Sequence, residues 1–254
     1  FAPHFSEAPG FRMHYVDEGV GEPIVALHGE PTWGYLYRTF IPRLAVGNRV
    51  VVPDHMGFGK SETPQDRTYT LASHVENLAA LIEELDLRDI TLVGQDWGGV
   101  IAGQYTVRHS DRVKRICLMN TVVGYGIIGR EDIPPITSSR WFQWIDGGIE
   151  SGRTRQVLLN LGSTVVDVMK IIGFENSAAI DDDWIRAYSA PFATPEESIG
   201  GLEFPLDVHE GRIQGYLIEG LARLDALKAK PAMLAEGLAD HAIPAETAIA
   251  DGTQ

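Results

Sequence analysis

The pentapeptide at residues 94–98, GQDWG, constrains the fold more than any other stretch of this chain. It follows the apolar run 90–94 and precedes a helical pattern over residues 100–108. Glycines on both sides of a central residue permit a sharp strand-to-helix turn that exposes the central side chain in a strained conformation. The pattern predicts that Asp96 stands at the carboxyl end of a buried strand, although an aspartate before a helix can also be only its N-cap.

Short apolar runs alternate with helical patterns through the first half of the chain. The predicted strands cover residues 12–16, 23–28, 48–54, 90–94 and 113–120. Continuously apolar strands are typical of a sheet buried on two sides, and strand–helix alternation indicates parallel strands. The sequence therefore predicts an α/β fold, with a mostly parallel sheet and helices on both faces.

The alternation stops after Asn120. Residues 121–215 contain helical patterns without convincing strands, and an apolar strand pattern returns at residues 231–237. We therefore predict a sheet domain formed by residues 1–121 and 216–254, with an incomplete C-terminal end, and a helical cap at residues 122–215. Ligands of such sheets bind at the carboxyl ends of the strands, so the cap is expected to cover that crevice.

Charge and composition narrow the classes of partner. The 254 residues include 21 Lys and Arg and 35 Asp and Glu, a formal net charge of −14, which disfavours nucleic acid and anionic membranes and favours a small neutral substrate. No apolar run has the length of a membrane helix and no signal pattern is visible, so we expect a cytoplasmic protein. The single cysteine, Cys117, is predicted to be buried in a strand. No ligand cluster has metal-binding spacing, so neither a metal nor a cofactor is expected.

An aspartate at residue 96 predicts chemistry that a serine would not perform. Its carboxylate is already ionised, so it can attack a saturated carbon and displace a leaving group directly. The attack leaves an ester on the protein, which water must then hydrolyse. That second step requires an oxyanion hole, for which we expect the backbone N–H groups of Glu30 and Trp97.

Three motifs resemble those of the haloalkane dehalogenases. They are residues 28–33 (HGEPTW), 53–61 (PDHMGFGKS) and 93–99 (VGQDWGG), in this order and spacing. The resemblance runs from about Tyr15 to Asn120 and returns at residues 231–244. It implies an α/β-hydrolase fold with a helical cap insertion, and hydrolysis of a small haloalkane by water to an alcohol and a halide ion.

The resemblance also implies roles for individual residues. Asp96 would be the nucleophile, and Trp97 would donate its indole N–H to the departing halide. A cap tryptophan would be the second halide donor, with Trp144 preferred over Trp141, although both could simply pack in the cap core. An indole suits this role because it only donates and its apolar body excludes water.

A carboxylate is also expected to orient a catalytic histidine. Asp240 follows the last predicted strand and is preferred as this acid over a turn-forming aspartate, because Asn120 occupies the other position known in the family and cannot carry the charge. His241 is rejected as the base because neighbouring side chains diverge. The base is therefore expected beyond Gln254.

Other functions remain open. The same aspartate could decarboxylate a β-lactone, as in dehalogenase-like relatives. Epoxide hydrolysis would need ring-opening acids, for which Tyr125, Tyr188 and Tyr216 are available. A ligand-binding protein without turnover is the alternative outside the enzymes.

Overall fold

The fold is described by a computed structural model that covers residues 1–125 and 131–253. Its strands are β1 (His4–Ser6), β2 (Met13–Gly19), β3 (Glu22–Leu27), β4 (Asn48–Pro53), β5 (Ile90–Gln95), β6 (Val113–Met119) and β7 (Ala232–Ala235). Its α-helices are α1 (Ile41–Leu44), α2 (Leu71–Glu84), α3 (Trp97–Arg108), α4 (Arg140–Ile149), α5 (Arg153–Leu158), α6 (Leu161–Ile172), α7 (Asp182–Ser189), α8 (Ile199–His209), α9 (Arg212–Leu221), α10 (Leu224–Lys228) and α11 (Ala245–Gly252). None of these helices is long and apolar enough to cross a membrane.

The strands form one sheet in the order β1-β2-β4-β3-β5-β6-β7. The pairs from β4 to β7 are parallel, and β1 and β2 join the edge in antiparallel pairing. The predicted mostly parallel sheet is therefore confirmed. The three-residue strand β1 was not predicted, because its sequence HFS is too short to show a pattern.

Alternate side chains of β3 separate the two faces of the sheet. Val25 and Leu27 pack into the large core that includes α2 and α3. Ile24 points to the opposite face, where a smaller cluster contains Tyr37 and, from α1, Ile41. Successive residues of a strand point to opposite faces, so two helical layers bury a continuously apolar strand. The predicted helices on both faces are confirmed.

Cys117 lies in β6 as predicted, but the expectation that it is buried was wrong. Its side chain is partly exposed and packs against the smaller cluster. The helices of that face contact β3 and β4, nearer the other edge of the sheet. Burial still raises the pKa of the Cys117 thiol above its ordinary value.

The described residues between β6 and β7 form α-helices, 3₁₀ turns and loops, without a strand. Helices α4, α5, α6 and α8 pack against one another. Phe204 of α8 also stacks on Trp97 of α3, with ring centroids 4.4 Å apart, so this helical region contacts the sheet domain. The domain boundaries at residues 121 and 215 stay predictions.

A layer of buried histidines lies beneath the loop that follows β3. His28 accepts the N–H of His55 at Nε2 (3.0 Å), and His55 donates from its own Nε2 to the His28 carbonyl (2.9 Å). His74 lies beside them, 4.5 Å from the ring of Phe204, and its two ring nitrogens have no hydrogen-bond partner in the described part of the chain. Burial is the main cause that lowers the pKa of His74 well below 6.5, and the neighbouring His55 lowers it further. Burial also lowers the pKa values of His28 and His55, so all three imidazoles are neutral at neutral pH.

We predict that His74→Leu stabilises the protein, and more so in acid. Removing two buried nitrogens without partners should raise the free energy of unfolding by about 1 kcal/mol at neutral pH. Because the pKa of His74 is lowered on folding, the native state takes up its proton less readily than the unfolded chain, and stability is lost as pH falls below 6.5. The variant lacks this loss. The difference between its free energy of unfolding and that of the wild type should therefore grow by roughly 1 kcal/mol at about pH 5.5. Urea unfolding at both pH values measures this; an equal effect at both would contradict the prediction.

The turn between β5 and α3 depends on close backbone packing. The helix starts at Trp97, three residues before the predicted start. A Cβ atom at Gly98 would collide with the backbone carbonyl oxygen of Leu27 in β3. Glycine at residue 98 therefore lets α3 approach the neighbouring strand.

We predict that Gly98→Ala lowers the free energy of unfolding by about 2 kcal/mol or more, because the collision is with backbone that cannot rotate away. Gly215→Ala is the matched control: this exposed glycine lies within α9, with open space where a Cβ would lie. It should stabilise the protein by roughly 0.5 to 1 kcal/mol. Urea unfolding measures the free energy of unfolding of both variants. Similar changes in this free energy would contradict the prediction that a Cβ at residue 98 collides with the backbone.

Candidate active site

Asp96 occupies the turn that connects β5 to α3. Its backbone has φ 53° and ψ −127°, a strained conformation outside the left-handed helical region that L residues rarely adopt. The N–H of Glu30 donates to its Oδ1 at 2.8 Å, and the N–H of Trp97 also donates to its carboxyl group. Both amides that the sequence suggested as oxyanion donors thus meet at this side chain.

The carboxyl group of Asp96 is partly shielded from solvent by protein. Burial raises its pKa to about 6, against the two backbone hydrogen bonds, which lower it. The nearby Asp240 carboxylate raises it slightly further. The two N–H donors therefore keep Asp96 largely ionised at neutral pH, despite its position inside the protein.

Two cavities meet at Asp96. The wide cavity, of about 480 Å³, opens toward the C-terminal segment and is lined by residues that include Trp184, Tyr188, Asp240 and His241. The apolar cavity, of about 230 Å³, lies on the α3 side and is lined by residues that include Trp97, Val122, Phe142 and Leu217. The residues common to both linings are Glu30, Asp96, Trp141, Ala242 and Ile243.

The tryptophans differ in their relation to these cavities. Trp97 is buried and lines the apolar cavity, and Trp141 is buried and lines both. Neither indole N–H has an acceptor among the residues that the structure describes. Trp144 stacks on the outer side of Trp141, with ring centroids 5.6 Å apart, and contacts Arg153. The preference for Trp144 over Trp141 is therefore not supported by position, because these residues lie three apart on α4 and only Trp141 faces the cavities.

Asp240 follows the last strand and lines the wide cavity together with Asp96. Its Oδ1 accepts the N–H groups of Ala242 and Ile243 at 2.8 and 2.9 Å, and its Oδ2 accepts from Asn120 Nδ2 at 2.7 Å. Residues 120 and 240, the two positions considered for the acid, are thus in contact. A turn-forming aspartate makes the same two backbone contacts, so the role of Asp240 stays a prediction.

No histidine side chain forms a hydrogen bond or ion pair with Asp240 in residues 1–125 and 131–253. His241 points toward Glu175, with Nε2 3.3 Å from its Oε1, which agrees with the expected divergence of neighbouring side chains. His28 and His55 bond to each other and to backbone in the buried layer. The expectation of a base beyond Gln254 is not tested by these contacts.

The side chain of Glu30 was not predicted to take part in the site. The motifs assigned only the backbone N–H of this residue, yet the carboxyl group also lines both cavities. Its Oε1 is buried without a hydrogen-bond partner within the described residues. The available indication in the sequence was an acidic residue in the loop that directly follows an apolar strand.

Comparison with known proteins shows which proteins this chain is similar to. Residues 22–148, half of the chain, match the family model of the alpha/beta hydrolase fold. The haloalkane dehalogenase of Psychrobacter cryohalolentis is 35% identical over 223 residues, which cover 81% of this chain and 65% of the relative. A cis-3-alkyl-4-alkyloxetan-2-one decarboxylase of Shewanella oneidensis is 32% identical over 212 residues, which cover 82% of this chain and 63% of the relative. The chain thus spans slightly less than two thirds of the length of each relative.

Solved structures agree with these sequence relationships. The crystal structure of a haloalkane dehalogenase from Bradyrhizobium elkani superposes with a TM-score of 0.79 and 25% identity, covering 98% of this chain and 86% of that one. The resemblance to haloalkane dehalogenases that the motifs indicated is therefore confirmed. Together, the family model, the strand order and the glycine-flanked turn at Asp96 establish that this chain belongs to the alpha/beta hydrolase fold family.

Proposed function

We propose that the chain forms the catalytic part of a hydrolase that cleaves the carbon–halogen bond of small haloalkanes. The observation that carries the proposal is the carboxylate of Asp96, held by two backbone N–H groups where two cavities meet. The dehalogenase relatives support the reaction type. The substrate would be a small neutral organic molecule, with water as the second reactant.

The first step would be displacement at a saturated carbon. The Asp96 carboxylate forms a bond to the carbon that carries the halogen, and the carbon–halogen electron pair leaves with the halide. The cavities beside Asp96 have largely apolar linings, which favour a carboxylate with few bound water molecules. Such a carboxylate is a stronger nucleophile than one surrounded by water. The product of this step is an alkyl ester of Asp96.

The departing halide would be held by Trp97 and Trp141. Both indoles line the apolar cavity, and both N–H groups are without an acceptor among the described residues. Two N–H donors in an apolar lining stabilise a small anion by hydrogen bonds, without a positively charged side chain. Trp141 therefore replaces Trp144 in this proposal.

The second step would be hydrolysis of the ester. Water attacks the carbonyl carbon of Asp96, and the oxygen that becomes negative is stabilised by the N–H groups of Glu30 and Trp97. Asp240 would orient the histidine that activates this water. The helical region at residues 122–215 would act as the cap, because it supplies Trp141 to both cavities.

Opening of a β-lactone is the second candidate. The decarboxylase relative acts on an oxetan-2-one, according to its name, and matches 82% of this chain. Attack of the same aspartate on a ring carbon would give an ester there as well. A dialkyl oxetanone that is consumed faster than bromoalkanes would favour this reaction.

We predict that 1-bromobutane reacts at Asp96 with release of bromide. Peptide mapping by mass spectrometry of rapidly quenched samples should show a butyl group on the peptide that contains Asp96, and ion chromatography should show bromide. Asp96→Asn should abolish both, since an amide is a far weaker nucleophile. Bromide release that persists in Asp96→Asn would contradict the proposal.

We predict that Trp141→Phe weakens bromide binding about tenfold, because one N–H donor to the anion is lost. The matched control is Trp144→Phe, which changes the neighbouring ring of the same stack outside the cavities. Bromide titration followed by tryptophan fluorescence measures both affinities. The assignment to Trp141 fails if Trp144→Phe has the larger effect.

A further inference from the structure

The carboxyl group of Glu30 is unused by the dehalogenation steps. Only the backbone N–H of this residue contacts Asp96, whereas its side chain lines both the wide and the apolar cavity. The residue is 8% exposed, and Oε1 has no hydrogen-bond partner in the described part of the chain. Buried polar atoms without partners are rare in folded proteins, and they are frequently found where a ligand binds or chemistry occurs.

Glu30 is positioned to hold a proton. Neither cavity is lined by a lysine or an arginine among the described residues, so a second carboxylate beside Asp96 would lack a compensating charge. Burial, and then the charge of Asp96, raise the pKa of Glu30 well above its usual range. Asp96 accepts two backbone N–H groups and Oε1 of Glu30 accepts none, so of these two groups Glu30 keeps the proton.

Attack by Asp96 reverses this balance. When the Asp96 carboxylate becomes an ester, its negative charge leaves the site. The repulsion that disfavours ionisation of Glu30 then disappears, and Glu30 becomes a stronger acid as the new bond forms. A proton is therefore released where a leaving group departs.

We propose that the carboxylic acid of Glu30 donates its proton to an oxygen leaving group, so that this site opens small epoxides as well as displacing halide. The inference rests on the proposed attack by Asp96. A bond forms between an Asp96 oxygen and a ring carbon, the electron pair of the broken carbon–oxygen bond moves to the oxygen, and that oxygen takes the proton of Glu30. The products are a hydroxyalkyl ester of Asp96 and a carboxylate at Glu30.

The tyrosines considered as ring-opening acids are placed differently. Tyr125 donates its hydroxyl hydrogen to Gln104, and the ring of Tyr216 lies against Arg108, 3.5 Å from its guanidinium carbon; neither tyrosine lines the wide or the apolar cavity. Tyr188 lines the wide cavity only. Glu30 is the acid that lines both cavities together with Asp96, and Tyr188 is the competing donor.

The test compares two reagents on the same protein. The chain is mixed with 1-bromobutane or with 1,2-epoxybutane, and quenched samples are analysed for adduct at Asp96 and for released butanol or diol. The bromoalkane adds a butyl group, whereas the epoxide adds its whole mass. We expect both adducts in the wild type, and we expect D2O to slow adduct formation with the epoxide only, because ring opening transfers a proton and displacement of bromide does not.

Glu30→Gln separates hydrogen bonding from proton donation, since an amide N–H can donate a hydrogen bond but cannot supply a proton. The ratio of epoxide to bromoalkane rate constants should fall about a hundredfold in this variant, and Glu30→Asp should restore part of it. The matched variant Tyr188→Phe should keep the wild-type ratio.

The outcomes distinguish the two proposals. Reaction with bromobutane but not with the epoxide overturns the role of Glu30 and leaves dehalogenation intact, whereas reaction with neither overturns both. An unchanged ratio in Glu30→Gln, or a fall confined to Tyr188→Phe, assigns the proton to another donor and overturns the inference. If Glu30→Gln does not fold, as judged by circular dichroism, the D2O comparison on the wild type decides: an epoxide reaction that D2O does not slow overturns the proposal.

Discussion

The close approach of β3, β5 and α3 at residue 96 is the constraint on which the site depends. Two glycines make it possible, because a Cβ atom at Gly98 would collide with the Leu27 carbonyl and one at Gly29 would collide with the Asp96 carboxyl group. The strained backbone of Asp96 is held by this packing, and the same packing brings the Glu30 N–H to 2.8 Å from Oδ1. Without it, the carboxylate of Asp96 and its two amide donors would not meet at one position.

Electrostatics then divides the roles of the two neighbouring carboxyl groups. Asp96 and Glu30 are both removed from water and have no cation beside them in the described cavity linings. Backbone N–H groups favour the charged form of Asp96, whereas the unpartnered oxygen of Glu30 favours its protonated form. Two similar side chains thus favour opposite protonation states, because their hydrogen-bond partners differ.

The helical region contributes directly to the site beside the sheet. Trp141 of α4 lines both cavities, and Phe204 of α8 stacks between Trp97 and the buried His74. The aromatic layer therefore connects this region to the residue that follows Asp96. A substitution that moves α8 would be transmitted to Trp97 through this stack, since close-packed rings cannot shift independently.

Local pattern determined much of this protein. The apolar runs gave the strands to within about three residues, and the GQDWG turn placed Asp96 at the end of β5, because glycine spacing and strand burial are properties of neighbouring residues. Only the tertiary structure shows that Trp141 lines the cavities and Trp144 does not, because both are apolar residues on one short helix and differ only in which way they face. It also decided that Oε1 of Glu30 is buried near Asp96, 66 residues away in the chain, without a hydrogen-bond partner among residues 1–125 and 131–253, since no local pattern encodes a contact between loops that follow separate strands.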